Sequence, residues 1–250
     1  MIERLSRLAL VLLGPLVLTG CFLAPGKFTS TLTINADRTF TYSYVGEVYA
    51  LNPDDMMKGL GDDKDDEDDK SGTTKSDFKQ IALKEDDKSK DDDKAATDAK
   101  FREMAAALAK ERGFRKVEYV GDSKFLIDYR ISGTLDHTFL FPYNVDAGII
   151  IPFVVAEVRA NGTVRVKAPG FANDSKSSSG LGGMGGGDAD KASSRLDGVF
   201  TLDTDAKIVS QNEEEGARTE NGRSIISWKA TPLSSAAPMA VLRMKDAAAQ

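Results

Sequence analysis

One cysteine, one histidine and one tryptophan are spread over 250 residues, and each scarcity closes off some chemistry. A lone cysteine, Cys21, leaves no disulfide to staple the fold, so stability has to come from a buried apolar core. A lone histidine, His137, cannot supply a zinc site of the usual Cys/His ligand count. No metal site and no cofactor site is expected from this composition. Excess basic charge is missing as well. The net charge of −6 conceals a concentration of acid, since Asp54 to Asp98 holds 17 acidic residues against 9 lysines and the rest of the chain is left at +2. A near-neutral remainder without a basic patch argues against a nucleic-acid partner.

Long hydrophobic runs are also lacking, with one short exception near the start. Arg4 and Arg7 precede the apolar stretch Leu8–Leu18, interrupted by Gly14-Pro15. It is shorter than the ~20 residues a spanning helix needs and has the layout of a secretory signal. The residues Leu18-Thr19-Gly20-Cys21 that close it resemble the lipobox of bacterial lipoproteins. That resemblance implies cleavage after residue 20. It also implies a diacylglycerol thioether and an N-acyl chain, typically palmitate, on Cys21. With Cys21 acylated, a Cys–His nucleophilic pair is excluded too. The expected location is the cell envelope, held to the membrane through Cys21. Phe22 follows the cysteine in place of a retention aspartate, so in a host with two membranes the outer one, facing the periplasm, is expected.

The remaining 230 residues suffice for one domain with long insertions. A lipidated tether is expected over 21–27, followed by an N-terminal hairpin over 28–51. Phe28, Leu32 and Ile34 alternate in one run, and Phe40, Tyr42 and Tyr44 in the next. Residues 52–96 form an acidic low-complexity insertion with too few apolar groups to offset ordering entropy. Phe101, Met104, Ala105 and Leu108 then share one helical face, which predicts a helix over about 97–112 stopped by Gly113. The helix opens a helix-plus-sheet core over 97–168. In it, strands around Phe125–Ile131 and Thr138–Tyr143 precede a hairpin at Asn161-Gly162, read as type I′. A Gly/Ser-rich insertion over 169–193 behaves as a linker. C-terminal strands of the same domain fill 194–250, including a hairpin across Thr204-Asp205. The sum is α+β: antiparallel hairpins packed on one main helix, with two disordered insertions.

Several residue patterns carry candidate chemistry. Gly180–Gly185 fits G-x-G-x-x-G but lies in a Ser/Gly tract instead of between a strand and a helix, so no dinucleotide site is assigned. Gly121-Asp122-Ser123 resembles the nucleophile block of GDSL-type hydrolases. Such a serine needs a histidine base and an orienting acid. Here the sole histidine follows Asp136 directly, mid-chain, and the block reads as a tight turn. Asp128 and Asp203 lie in strand contexts with solvent exposure as the default. Arg159, Arg165 and Lys167 line one side of the Asn161-Gly162 hairpin and could meet anionic head groups. Trp228 reads as core. No catalytic residue is assigned.

The hairpin Thr29–Val48, the helix ending Phe101–Phe114 and the strand Ile225–Trp228 together resemble LppM-type domains of bacterial lipoproteins. The resemblance implies a membrane-proximal α+β domain with no catalytic residues to carry over. The expectation is a lipid-anchored, non-catalytic binding or scaffolding protein with an envelope protein as partner. A carrier or sensor of a lipid or other amphiphile is the first alternative, and a serine or carboxylate hydrolase the second. An aromatic-lined pocket between the first hairpin and strand 125–131 would favour the carrier.

Overall fold

Period-two alternation dominates the architecture. The structure is a computed structural model that describes residues 22–51, 86–144, 149, 152–173 and 194–245. The expected signal peptide and Cys21 lie outside the described residues, as do 52–85 and 174–193 of the two expected insertions.

Strands β1 (Phe22–Ile34) and β2 (Thr39–Leu51) pair antiparallel from Phe22↔Leu51 to Ile34↔Phe40. Residues 22–27, expected as a tether, are strand. Helix α1 (Asp86–Leu108) follows, then β3 (Phe114–Tyr119) and β4 (Lys124–Thr134). Beyond Thr134 the chain leaves this sheet for a second one, entering β5 (Phe139–Phe141), β6 (Val154–Val158) and β7 (Thr163–Lys167). It then alternates between sheets through β8 (Asp197–Thr204), β9 (Lys207–Gln211), β10 (Arg218–Glu220), β11 (Arg223–Ala230) and β12 (Met239–Arg243). One sheet has seven strands in the order β10-β11-β8-β1-β2-β4-β3, the other five in the order β5-β6-β7-β12-β9. β8 lies parallel to β1, in register from Lys27↔Asp197 to Ile34↔Thr204.

The α+β expectation is corrected: the fold is sheet-dominated, with a single α-helix and one short 3-10 turn (Pro169–Phe171) among the described residues. Strands β5, β6, β7, β9 and β12 build a facing sheet while β8, β10 and β11 extend the first, and the core is filled by rings from both. Phe141 lies 4.5 Å from Tyr129 and 5.0 Å from Tyr42 by ring centroids, and Phe28 stacks 4.2 Å from Phe171. Helix α1 contributes Phe101, Ala105 and Leu108 to this core and meets Tyr119 and Phe125 through Phe101. It starts at Asp86, inside the expected acidic insertion, where aspartates suit a helix N-terminus. Regular helix ends at Leu108, and single turns carry the chain to Gly113, whose φ is 99°. A Cβ there would lie 2.6 Å from the Tyr129 ring, so space and backbone both require glycine. Phe171, placed by sequence in the second insertion, is fully buried.

The expected hairpin across Thr204-Asp205 is a corner between sheets. Thr204 Oγ1 donates to the Ile34 carbonyl at 2.6 Å and Asp205 Oδ1 accepts from the Ala36 amide at 2.6 Å. These bonds satisfy backbone groups that a turning strand would strand in the interior. The Asn161-Gly162 turn has positive φ only at Gly162, and the Gly162 amide donates to the Arg159 carbonyl. It is therefore a longer loop with a glycine bulge, not type I′. A two-residue loop with both φ positive occurs instead at Asn221-Gly222, and the β3–β4 loop has three in a row at Gly121, Asp122 and Ser123.

Tyr42 and Tyr44 are wholly buried between the sheets. Ser30 donates to the Tyr42 hydroxyl at 3.0 Å and Tyr44 donates to the Glu47 carbonyl at 2.8 Å. Burial pushes both phenols well above their ordinary range. The unfolded chain loses these protons near pH 10 and the folded one holds them, so this stabilisation is intact below about pH 10 and lost above it. Stability is expected to fall by about 1.4 kcal/mol per pH unit for each ring above pH 10. Urea melts between pH 9 and 11.5 check this, and a flat profile would contradict the burial.

Candidate binding cleft

The register of β1 against β2 slips between Pro25 and Phe28, and two in-strand glycines flank that bulge. A Cβ on Gly46 would lie 2.3 Å from the Lys27 carbonyl oxygen, and one on Gly198 would lie 2.4 Å from the Phe28 ring. Glycine in a strand marks such close approach. On the outer side of the seven-stranded sheet, the bulge leaves an open cleft of about 530 Å³ lined by Lys27, Val45, Asp197, Val199 and Lys229. A second hollow of about 330 Å³, sharing Lys27, Asp197 and Thr231, continues past Glu47, Tyr49 and Arg195. Val45 and Val199 are exposed on the walls of the first.

Three cations and two carboxylates rim the cleft. Glu47 lies 3.3 Å from Lys124 Nζ and accepts from the Lys27 amide at 3.4 Å and the Tyr49 hydroxyl at 3.2 Å. Partial burial pushes its carboxyl up, but these hydrogen bonds outweigh that and hold it below the ordinary range. Burial and the neighbouring carboxylate push the Tyr49 phenol up. Arg195 sits over the Tyr49 ring, 4.4 Å from its centroid, a favourable cation–π contact. Among the described residues Lys27 and Lys229 form no ion pair. Near neutral pH Glu47 is a fixed anion and Tyr49 a fixed neutral donor, which suits recognition better than proton transfer.

The residues singled out by sequence do not converge. Ser123 precedes β4 and His137 follows it, so the eleven-residue strand separates them, roughly 35 Å at the usual rise. His137 does contact Asp136, its neighbour in sequence, through Nδ1. The two lie in a bend, both exposed. The hydrogen bond from His137 draws the Asp136 carboxyl below its ordinary range. Asp203 is paired with Arg223 Nε at 2.6 Å and Asp128 with Arg115 at 3.8 Å. Glu157 takes Arg165 at 2.7 Å and Arg159 at 3.6 Å. Trp228 is buried against Phe200 and donates to Asn212 Oδ1 at 3.1 Å. Gly180–Gly185 and Cys21 lie outside the described residues. The aromatic faces of the first hairpin and β4 pack on Phe139, Phe141, Phe153 and Phe171, where a carrier would need a pocket. Among the described residues no group of three or more His, Cys, Asp or Glu could hold a metal, and no helix is long and apolar enough to cross a membrane.

Sequence reasoning missed the cleft because its walls are far apart in the chain. The parallel β1–β8 pairing brings Lys27 beside Asp197. The signal available was Gly46 and Gly198 inside strand-like runs.

No protein-family model matches the chain, and no curated protein matches it. Among solved structures it is similar to the folded domain of LppM from Mycobacterium tuberculosis, with 16% identity, 90% of this chain and 92% of that one covered, and a TM-score of 0.32. It is also similar to an M1 zinc metallopeptidase from Deinococcus radiodurans, with 11% identity over 88% of this chain and 42% of that one, at a TM-score of 0.28. Superpositions this loose assign neither fold nor chemistry. The class is set by the chain's own geometry: a two-sheet β domain with a charged surface cleft.

Proposed function

We propose that this chain is a lipid-anchored envelope protein whose two-sheet domain works by binding, without catalysis. The anchor rests on the lipobox-like Leu18-Thr19-Gly20-Cys21 at the end of an apolar run. Binding rests on one observation above all: the cleft at the β1 bulge offers Lys27 and Lys229, neither in an ion pair among the described residues, beside exposed Val45 and Val199. Its partner is an acidic, partly apolar surface, as on another envelope protein. In a host with two membranes the site is the periplasmic face of the outer membrane.

The test is complementation of a deletion strain. Lys27→Glu combined with Lys229→Glu is expected to leave the protein folded and at normal abundance but to abolish rescue. It should also abolish the crosslinked adducts seen with wild type. His137→Ala and Ser123→Ala are expected to rescue fully, because β4 holds these residues apart. Rescue by the cleft variant, or its loss in both single variants, would remove this reading.

A further inference from the structure

We propose that the outer face of the five-stranded sheet is a docking surface for an anionic bilayer. In this sheet the inward residues Val154, Ala156, Val164, Val166, Ala240 and Leu242 are fully buried, so alternation turns their neighbours outward. Those neighbours are strongly biased in charge. Arg165 and Lys167 on β7, Arg243 on β12, Lys207 on β9 and Arg159 at the β6 turn are basic, and Glu157 is the one acid among the outward residues of β6, β7 and β12. Glu157 pairs with Arg159 and Arg165. Lys167, Lys207 and Arg243 form no ion pair among the described residues.

Register interleaves these cations with aliphatic side chains. Met239 stands opposite Lys167, Val241 opposite Arg165, and Arg243 opposite Lys207, while Val209 at the β9 irregularity is 48% exposed. Cations among the half-buried Met239 and Val241 and the exposed Val209 fit a surface that is negative at the head groups and apolar just beneath. Aromatic side chains, which would stack on bases, do not face outward from β6, β7, β9 or β12. The outer face of the seven-stranded sheet differs. It carries hydroxyl pairs such as Thr41–Ser132 at 2.9 Å, and Asp203 and Asp128 there are matched by arginines. On the larger sheet the unpaired Lys27 and Lys229 sit together at the cleft, whereas the smaller sheet spreads Lys167, Arg243 and Lys207 over its adjacent strands β7, β12 and β9.

The inference stands apart from the lipid anchor and from the cleft. Residues 22–245 hold every described strand and the buried core, so the chain from residue 21 onward, carrying Cys21→Ser, folds without lipid. Flotation is measured with vesicles of phosphatidylcholine alone and with vesicles containing about a third phosphatidylglycerol. Binding is expected only to the second, and to weaken as salt rises from about 0.1 M to about 1 M and the Debye length falls from ~10 to ~3 Å. The triple variant Lys167→Gln, Lys207→Gln, Arg243→Gln, with an unchanged melting temperature, is expected to lose on the order of 100-fold in affinity. Val209→Ser and Val241→Ser together should weaken it further, while Lys27→Glu with Lys229→Glu should bind as wild type. Equal binding to neutral vesicles, full binding by the triple variant, or heparin binding as tight as vesicle binding with no effect of the valine changes would each overturn the proposal. The last result would assign the face to a soluble polyanion.

Discussion

Phe141→Ala is expected to cost about 3–5 kcal/mol, the range for removing a fully enclosed ring. Phe141 is 2% exposed, and its ring contacts Tyr42 and Tyr44 on β2, Tyr129 on β4 and Phe153 before β6. It is thus shared by both sheets, and the surrounding strands cannot close on the void without separating elsewhere. The loss is large against the ~5–15 kcal/mol that holds a domain of ordinary size. Urea denaturation gives the number directly. Phe141→Leu keeps most of the apolar volume and should lose clearly less. A loss under about 1 kcal/mol for the alanine variant would mean that the sheets do not meet at this ring.

Cys21→Ser is expected to abolish fatty-acid labelling and to leave a precursor that retains residues 1–20. The thioether requires the cysteine sulfur, and the chain has no other cysteine. Each buried methylene contributes about 0.8 kcal/mol, so two or three acyl chains make anchoring effectively permanent and their loss total. Metabolic labelling with palmitate, read beside the electrophoretic size of the product, checks both outcomes together. Normal labelling of the serine variant would end the lipoprotein proposal.

Local pattern made parts of the fold legible and hid others. The first hairpin is readable because Phe28, Leu32 and Ile34 face Phe40, Tyr42 and Tyr44 with a polar turn between, and register follows from period two. The helix ends at Leu108 instead of running to 112, but the left-handed turn at Gly113 is readable because such a residue selects glycine. The start of α1 was not, because Asp86–Asp93 reads as a charge run and nothing local distinguishes a solvated helix from a solvated loop. Thr204-Asp205 was read as a hairpin because neighbouring strands usually pair. The side-chain bonds to Ile34 and Ala36 that send β8 and β9 into different sheets involve residues some 170 positions away. The same distance hid the cleft, whose cations come from β1, β11 and the approach to β8. The α+β expectation overvalued the one clear helical face. It gave no weight to a second sheet whose short strands, such as β5 with three residues, carry little signal alone.

The pairing of β1 with β8 has a consequence for the order in which the protein can be built. Strand β1 is among the first segments to emerge during synthesis or export, yet one of its two edges stays open until residues 197–204 arrive. The β1–β2 turn is sealed later still, when the Lys245 amide reaches the Ala36 carbonyl at 2.9 Å. Contacts this distant in sequence make folding slow, and under the proposed export the domain stays open until residues 239–245 are across. Slow closure of this kind would keep such an exported chain threadable. It also ties the last described strand, β12, to the turn between the first two, so that losing β12 would loosen that turn.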